Sequence, residues 1–363
     1  MATIELVDVA HAYVPGDWAV KDINITWQDG VASALLGPSG CGKTTLLKII
    51  SGLLKPTEGK VLLDGEDVTQ LSPQERNIAQ VFQFPVVYET LNVYDNLAFP
   101  LRNRGIDETK VKERVDEIAE VLELEDVLKK NAASLGAAEK QRISMGRGIV
   151  RFDTTAMLFD EPLTVIDPHQ KWLLRRKLKE LHGRLGLTMV YVTHDQHEAL
   201  TFAEQVTVMD TGVAVQTGSP KELHNEPQAP FVGYFIGSPG MNLFDAEVRD
   251  GKLKLGDYTL PAPPDVGKAD EVKVGIRPEF IKTSATSTPD ALESKVTAVN
   301  LTGSALILDL EGEGVTFKAR ADETAPFTKG DTVWATFPRE RVMVYANGRA
   351  LKLDRQANRE EVT

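Results

Sequence analysis

Apolar and polar positions alternate along the first thirty residues. Ile4, Leu6 and Val9, then Val20, Ile23, Ile25 and Trp27, make up the apolar side. This pattern predicts antiparallel strands with one solvated face. They lead into residues 31–36, an unbroken apolar run of the kind a strand buried on both faces of a parallel sheet shows. Residues 45–50 read as the opening of a helix, and Asp64-Gly65 after Val61-Leu62-Leu63 signals a hairpin. Residues 77–83 read as a strand ending in a glutamine. Beyond Pro85 the period changes, and residues 93–150 are helical in pattern. Within them apolar residues recur at 111, 115, 118, 119 and 122, one face of a helix with charge opposite. The sheet resumes at 156–160 and, after a helix over 172–185 closed by Gly186, again at 187–193.

Past the loop-like Ile236-Gly237-Ser238-Pro239-Gly240, short alternating strands take over: Val272/Val274/Ile276, Val315/Phe317/Ala319 and Val333/Ala335/Phe337. Asp250-Gly251, Lys329-Gly330-Asp331 and Asn347-Gly348 supply turns. The expected organisation is an α/β domain over 1–235 with a helical subdomain at about 88–150, a linker at 236–243, and a small β-barrel over 244–363.

Composition narrows the function. A chain of 363 residues has room for two domains, and its 42% hydrophobic and 26% charged content is ordinary for a soluble globular protein. The net charge of −12 and the lack of a basic cluster argue against gripping nucleic acid through phosphates. A barrel of this kind often binds nucleic acid, but no basic stripe with interleaved aromatics supports that here. No apolar run approaches the roughly 18–20 residues of a spanning helix. Met1-Ala2-Thr3-Ile4-Glu5 has no signal-peptide character. One cysteine, Cys41, excludes an internal disulfide framework and a cysteine zinc site. Together these point to a cytoplasmic compartment. Cys41 reads as a small residue tolerated in its loop, or as a thiol sensitised to alkylation by a helix start.

The candidate chemistry centres on Gly37-Pro38-Ser39-Gly40-Cys41-Gly42-Lys43-Thr44, which fits the phosphate-loop pattern G-x-x-x-x-G-K-[ST]. It lies between a predicted strand and a predicted helix, the context the motif needs. Glycines let the backbone wrap a phosphate, and free N–H groups at the helix start point at it. Lys43 adds a cation for the outer phosphates, and the Thr44 hydroxyl is placed for a magnesium ion. Asp160 and Glu161 end a buried strand. Alternation along that strand lets Asp160 face the metal while Glu161 reaches toward a water. His194 ends another buried strand on the same edge, within reach of a γ-phosphate. His194 and His197 lack a third ligand nearby for a metal site. Tyr13, on an expected loop at 11–17, is placed to stack on a base.

Taken together, these motifs resemble the ATP-binding subunits of ABC transporters, specifically the carbohydrate-importer subfamily related to the maltose and glycerol-phosphate importers. The resemblance runs over essentially the whole chain. It implies an α/β P-loop ABC ATPase domain with a mixed sheet and helical subdomain, followed by an OB-like regulatory β-barrel. Gly275-Ile276-Arg277-Pro278-Glu279 matches a hallmark segment of that second domain. The implied cofactors are ATP and Mg2+. Ser39, Gly40, Cys41, Gly42, Lys43, Thr44 and Thr45 would bind the phosphates, and Tyr13 falls at the adenine-stacking position. Thr44, Asp160 and the Q-loop residue Gln83 would hold magnesium, Gln83 through water. Glu161 would polarise the attacking water, and His194 would sense the γ-phosphate.

Two segments depart from the family. The signature Leu-Ser-Gly-Gly-Gln, which in such proteins closes over the nucleotide of the other subunit, is here Leu135-Gly136-Ala137-Ala138-Glu139. The serine hydroxyl is lost, two glycines become alanines, and an anion is placed toward an anionic ligand. The D-loop Ser-Asn-Leu-Asp is here Thr164-Val165-Ile166-Asp167, keeping Asp167. The resemblance therefore implies an ATPase energising import of a sugar, polyol or glycerol-like solute; the two departures point to pairing with a second, non-identical ATP-binding subunit, with a homodimer that tolerates the changes as the alternative. Two membrane permease subunits would be its further partners, docking near residues 86–92, with a solute-binding protein acting indirectly. Its place would be the cytoplasmic face of the membrane. An importer for an inorganic ion or polyamine is an alternative cargo reading, and a weakly hydrolysing regulatory subunit is an alternative class. A soluble ABC-type ATPase acting on DNA or ribosomes is disfavoured by the acidic charge.

Overall fold

The computed structural model describes residues 2–256, 258–303 and 305–351. The part of the expected barrel at 352–363 lies outside the described residues. The chain divides into two compact units, Met1–Pro220 and Lys221–Thr363, so the division precedes the composition shift at 236.

The first unit opens with β1 (Ile4–Val14) and β2 (Asp17–Trp27), then β3 (Ala32–Leu36), α1 (Lys43–Ser51), β4 (Glu58–Leu63), β5 (Glu66–Asp67), α2 (Pro73–Arg76) and β6 (Ala79–Val81). Helices α3 (Val93–Arg102), α4 (Glu108–Leu122) and α5 (Ala137–Ile149) form the helical insertion. The unit continues with β7 (Met157–Asp160), α6 (Pro168–Leu185), β8 (Met189–Thr193), α7 (Gln196–Phe202), β9 (Gln205–Asp210) and β10 (Val213–Gly218).

Two sheets carry this unit. One is antiparallel, in the order β2-β1-β4-β5. The other runs β10-β9-β3-β8-β7-β6, parallel except for the β9–β10 pair. Ile4, Leu6 and Val9 face the core although their spacing breaks a period of two. A bulge accommodates the extra residue: Asp8 takes φ 50°, and its backbone N–H donates to Asn24 Oδ1 at 2.9 Å. The core between the two sheets includes Trp27, Leu35, Leu46, Ile49, Leu158 and Val190.

Four sequence expectations shift. Tyr13 lies within β1, not on a loop, because β1 and β2 stay paired to Val14↔Asp17. The strand expected over 77–83 shrinks to Ala79–Val81, since its partner β7 supplies register positions only from Met157 to Phe159, so Gln83 lies beyond the sheet. Helix α6 starts at Pro168. Residues 168–171 show no apolar period, and the signals are Pro168 at the first helical position and the Asp167 cap, whose Oδ1 accepts the Gln170 N–H at 3.0 Å. Glu161 is turned by a left-handed φ of 45°, not by strand alternation.

The second unit contains α8 (Pro220–Asn225), α9 (Pro230–Phe235) and strands β11 (Asn242–Asp245), β12 (Glu247–Arg249), β13 (Lys252–Leu255), β14 (Tyr258–Pro261), β15 (Val272–Ile276) and β16 (Lys282–Ser284). It ends with β17 (Leu292–Thr302), β18 (Ala305–Gly312), β19 (Val315–Asp322), β20 (Thr332–Thr336), β21 (Met343–Ala346) and β22 (Arg349–Ala350). The sheets β11-β15-β21-β22, β12-β13-β14 and β16-β20-β17-β18-β19 share one core around Phe244, Val274, Leu308, Phe317 and Phe337. Arg277, 1% exposed, donates to His224 O at 2.8 Å and to Gly233 O and Ile236 O. Its guanidinium thus meets the carbonyl ends of α8 and α9, where a cation is favoured. Replacing Arg277 by Leu strips these carbonyls of their donor and should destabilise the unit by about 3 kcal/mol. Hydrogen exchange of the β15 and β21 amides reads that loss, and protection equal to the parent's would contradict it.

Candidate functional site

The C-terminal ends of β3, β8 and β7 lie side by side, with Leu36 opposite Thr193 and Asp160 opposite Val192. The Glu161 N–H continues the ladder to Val192 O at 3.0 Å. These apolar strands are wholly buried, so the first groups to emerge from the sheet edge are the loop at 37–42, Asp160–Glu161 and His194.

The loop is shaped by its glycines. Gly42 has φ 100°, and a Cβ there would fall 2.5 Å from Ala19 O, so no other residue fits. It caps the start of α1 with no side chain in the way, leaving the first N–H groups for an anion. Lys43 is 5% exposed, and its Nζ donates to Gly37 O and Pro38 O, both at 2.8 Å. The loop therefore curls around its own ammonium group and fixes a cation at its mouth. Cys41 is buried, its Sγ 3.8 Å from Lys43 Nζ. Burial pushes its thiol up from the ordinary value, with the lysine opposing. Of the two readings of Cys41, the packed small residue is the one this geometry favours, because a helix start activates only a thiol that solvent reaches.

Thr44 Oγ1 donates to Asp160 Oδ1 at 3.2 Å. Asp160 is 8% exposed, and burial pushes its carboxyl above the ordinary value; the Thr44 hydroxyl and Lys43 oppose this, and the Glu161 charge adds to it. A desolvated carboxylate beside a hydroxyl is an oxygen pair that suits a hard divalent cation. His194 Nδ1 lies 3.0 Å from Glu161 Oε2. Tyr13 is 59% exposed, its hydroxyl 3.2 Å from Thr45 Oγ1 and its ring edge-on to His11. Thr44 with Asp160, Glu161 with His194, and Tyr13 with Thr45 are thus brought together. Ser39 and Gly40 lie on the exposed turn of the loop. The Gln83 side chain makes no hydrogen bond among the described residues.

Residues 135–139 stand apart from this edge, at the start of α5. Glu139 folds back onto the start of its own helix. Its Oε2 accepts the Gly136 N–H at 2.7 Å, the reciprocal half of a capping box. With Gly136 in the cap position, the other half, a side-chain oxygen for the N3 amide, does not exist. Asp167 serves as the α6 cap described above.

One residue at the site went unread in the sequence. Glu198 is 5% exposed, and its Oε2 accepts from Tyr191 Oη at 3.1 Å and from Thr193 Oγ1 at 2.9 Å. Asp195 caps α7 through the His197 N–H at 2.7 Å. Together they fix the end of β8 that presents His194. A carboxylate four positions beyond the histidine, in a helix's first turn, was the available signal.

The sheet order, the helical insertion and the loop–carboxylate edge define a P-loop ATPase of the ABC type. Residues 20–164 match the ABC transporter family, 237–281 the MalK OB fold domain, and 274–344 the TOBE domain. A Pectobacterium atrosepticum protein called sn-glycerol-3-phosphate import ATP-binding protein UgpC is 35% identical over 98% of this chain and 100% of its own length. Its Yersinia pestis namesake is 42% identical over 80% of this chain and 83% of its own. The structure of cbiO1 from Clostridium perfringens, part of the ABC transporter complex cbiONQ, covers 61% of this chain and 90% of its own, with 28% identity and a TM-score of 0.57. The chain belongs to the ATP-binding proteins of ABC importers.

The raised Asp160 pKa carries a stability consequence. The ionised carboxylate is disfavoured in the fold, so a stability cost sets in as pH rises above the carboxyl's unfolded value and is complete above its raised folded-state value. Asp160→Asn should therefore raise the melting temperature of the nucleotide-free protein while weakening magnesium-dependent nucleotide binding. Calorimetry and a nucleotide titration with and without magnesium read the two effects, and a lowered melting temperature would refute the first.

Proposed function

We propose that this chain is the ATP-hydrolysing subunit of an importer for a glycerol-like or glycerol-phosphate solute, and that it works beside a second, non-identical ATP-binding subunit. The cargo class rests on the relatives called sn-glycerol-3-phosphate import ATP-binding protein UgpC. The observation that carries the pairing is the contrast between two helix starts. That of α1 offers N–H groups and a lysine, while that of α5 has no hydroxyl and holds the Glu139 carboxylate on its own Gly136 N–H.

Ser39 to Thr45 bind the phosphates, and Tyr13 stacks on the adenine. Thr44 and Asp160, with Gln83 through water, are the residues that would hold magnesium. The ion supplies charge neutralisation between the phosphates when bound. Glu161 orients and polarises the attacking water, and His194, 3.0 Å away, holds that carboxylate and meets the γ-phosphate. The partner's signature closes over this nucleotide. The partner's own nucleotide faces residues 135–139, where a lost donor lowers turnover by about 10²–10³.

Two permease subunits dock on the exposed Phe84, Val86 and Tyr88, 72%, 51% and 40% accessible. No helix among the described residues is long and apolar enough to cross a membrane, consistent with peripheral attachment at its cytoplasmic face.

Glu161→Gln should retain ATP binding and lower kcat by at least about 10². Steady-state hydrolysis together with nucleotide binding reads this, and unchanged turnover removes Glu161 from the catalytic role. For the pairing, hydrolysis is measured with this chain alone and mixed with a second such ATPase. The expected result is weak turnover alone and strong turnover in the mixture. Full cooperative turnover by this chain alone identifies a homodimer and sinks the pairing.

A further inference from the structure

Three polar side chains on one stripe of α5 hold the backbone that follows β6. Gln141, Ser144 and Arg147 recur every three residues and so stand on one side of the helix. Gln141 Nε2 donates to Phe82 O at 3.0 Å. The Val86 N–H donates to Ser144 Oγ at 3.2 Å. Arg147 donates to Val86 O at 2.6 Å, and its guanidinium lies 4.1 Å from the Tyr88 ring centroid. Between these anchors sits Gln83, whose side chain makes no hydrogen bond of its own among the described residues. Its position is therefore set by its backbone neighbours.

Gln141 is the telling member. It is fully buried, yet its Oε1 has no hydrogen-bond partner among the described residues. A buried orphan oxygen costs about 1–3 kcal/mol, roughly what the Phe82 hydrogen bond returns. Leucine would fill the same space without that cost but would strip Phe82 O of its donor, so the exchange is about neutral for stability. Stability alone does not account for the amide, whereas a directional grip on the residue before Gln83 does.

We propose that Gln141, Ser144 and Arg147 are positioning residues for Gln83. They lock segment 82–86 to the helix whose first turn carries residues 136–139, so a movement of α5 displaces Gln83 by the same amount. The catalytic consequence rests on the ATPase reading above; the clamp itself does not.

The test uses the full chain with Gln141→Leu and Ser144→Ala, singly and combined. Amide exchange is followed at 82–88, and kcat and KM for ATP are measured in the mixture with the partner ATPase. The melting temperature is expected to change little, because in Gln141→Leu the lost orphan oxygen and the lost Phe82 O donor offset. The Val86 amide should exchange about tenfold faster in Ser144→Ala, since its acceptor is gone. In the double variant kcat should fall about 10–100-fold, as for a misplaced group, with KM unchanged because the phosphate loop is untouched. Exchange equal to the parent's overturns the clamp. Faster exchange with kcat within about twofold of the parent overturns its positioning role, as does a kcat loss that merely tracks a fallen melting temperature. If the unaltered chain with its partner shows no turnover, the ATPase reading fails, and exchange still decides the clamp.

Discussion

The register of three parallel strands governs the first unit's chemistry. Strand β8 lies between β3 and β7, pairing Leu36 with Thr193 and Val192 with Asp160. Because all three strands run the same way and are buried throughout, they deliver the phosphate loop, the carboxylate pair and the histidine to one edge at one height. Side chains alternate along a strand, so a slip of one residue in β7 would turn Asp160 to the opposite face. The 3.2 Å contact between Thr44 and Asp160, made across the width of β8, depends on that register. The positive φ at Glu161 then breaks the alternation just past the end of β7. Two adjacent acids, which an extended strand would point to opposite faces, can both serve the same edge. The strain of such a conformation is offset by the Glu161 N–H bond to Val192 O.

Two helix N-termini in the chain receive opposite treatment. At α1 the first-turn amides are left free by Gly42, and the adjacent charge is the positive Lys43. At α5 the first turn contains no glycine beyond its cap, and a carboxylate already occupies the amide end. The dipole at such an end favours an anion, and Glu139 satisfies it from within the chain. A second anion arriving there meets a filled donor and a like charge. The same device that stabilises the helix underlies the proposed pairing with a second ATP-binding subunit.

Most of the phosphate-binding edge was legible because its residues follow directly from strand ends, and buried strands announce themselves as apolar runs. Asp160, Glu161 and His194 each terminate such a run. What stayed hidden depends on angles or on side chains reaching across elements. The left-handed turn at Glu161 has no glycine to mark it. Tyr13 looked like a loop residue because the pattern around Pro15-Gly16 hides how far the pairing of β1 and β2 extends. The start of α6 is hidden because its first turn shows no apolar periodicity and its only cues are the cap Asp167 and the Pro168 that follows it. Glu198 reads as an ordinary helical acid until Tyr191 and Thr193 are seen to converge on it.

The residues fixed by side chains also form a connected set. Helix α5 grips the segment after β6 through Gln141, Ser144 and Arg147. From its other side Arg142 donates to Gln170 Oε1 at 2.8 Å, and the Gln170 backbone N–H is bound by Asp167. Residues 136–139, Gln83 and Asp167 are therefore linked through one helix, although they come from three distant stretches of sequence. Thr44, Asp160, Glu161 and His194 are placed instead by the strands they end or follow. The ATPase unit is thus built in two ways, one part held by backbone register and one by side chains on α5. Register resists small displacements because every rung must break together, whereas a few side-chain bonds can shift as a set. A conformational change that moves the second part against the first would alter Gln83, residues 136–139 and Asp167 in concert and leave the phosphate loop undisturbed.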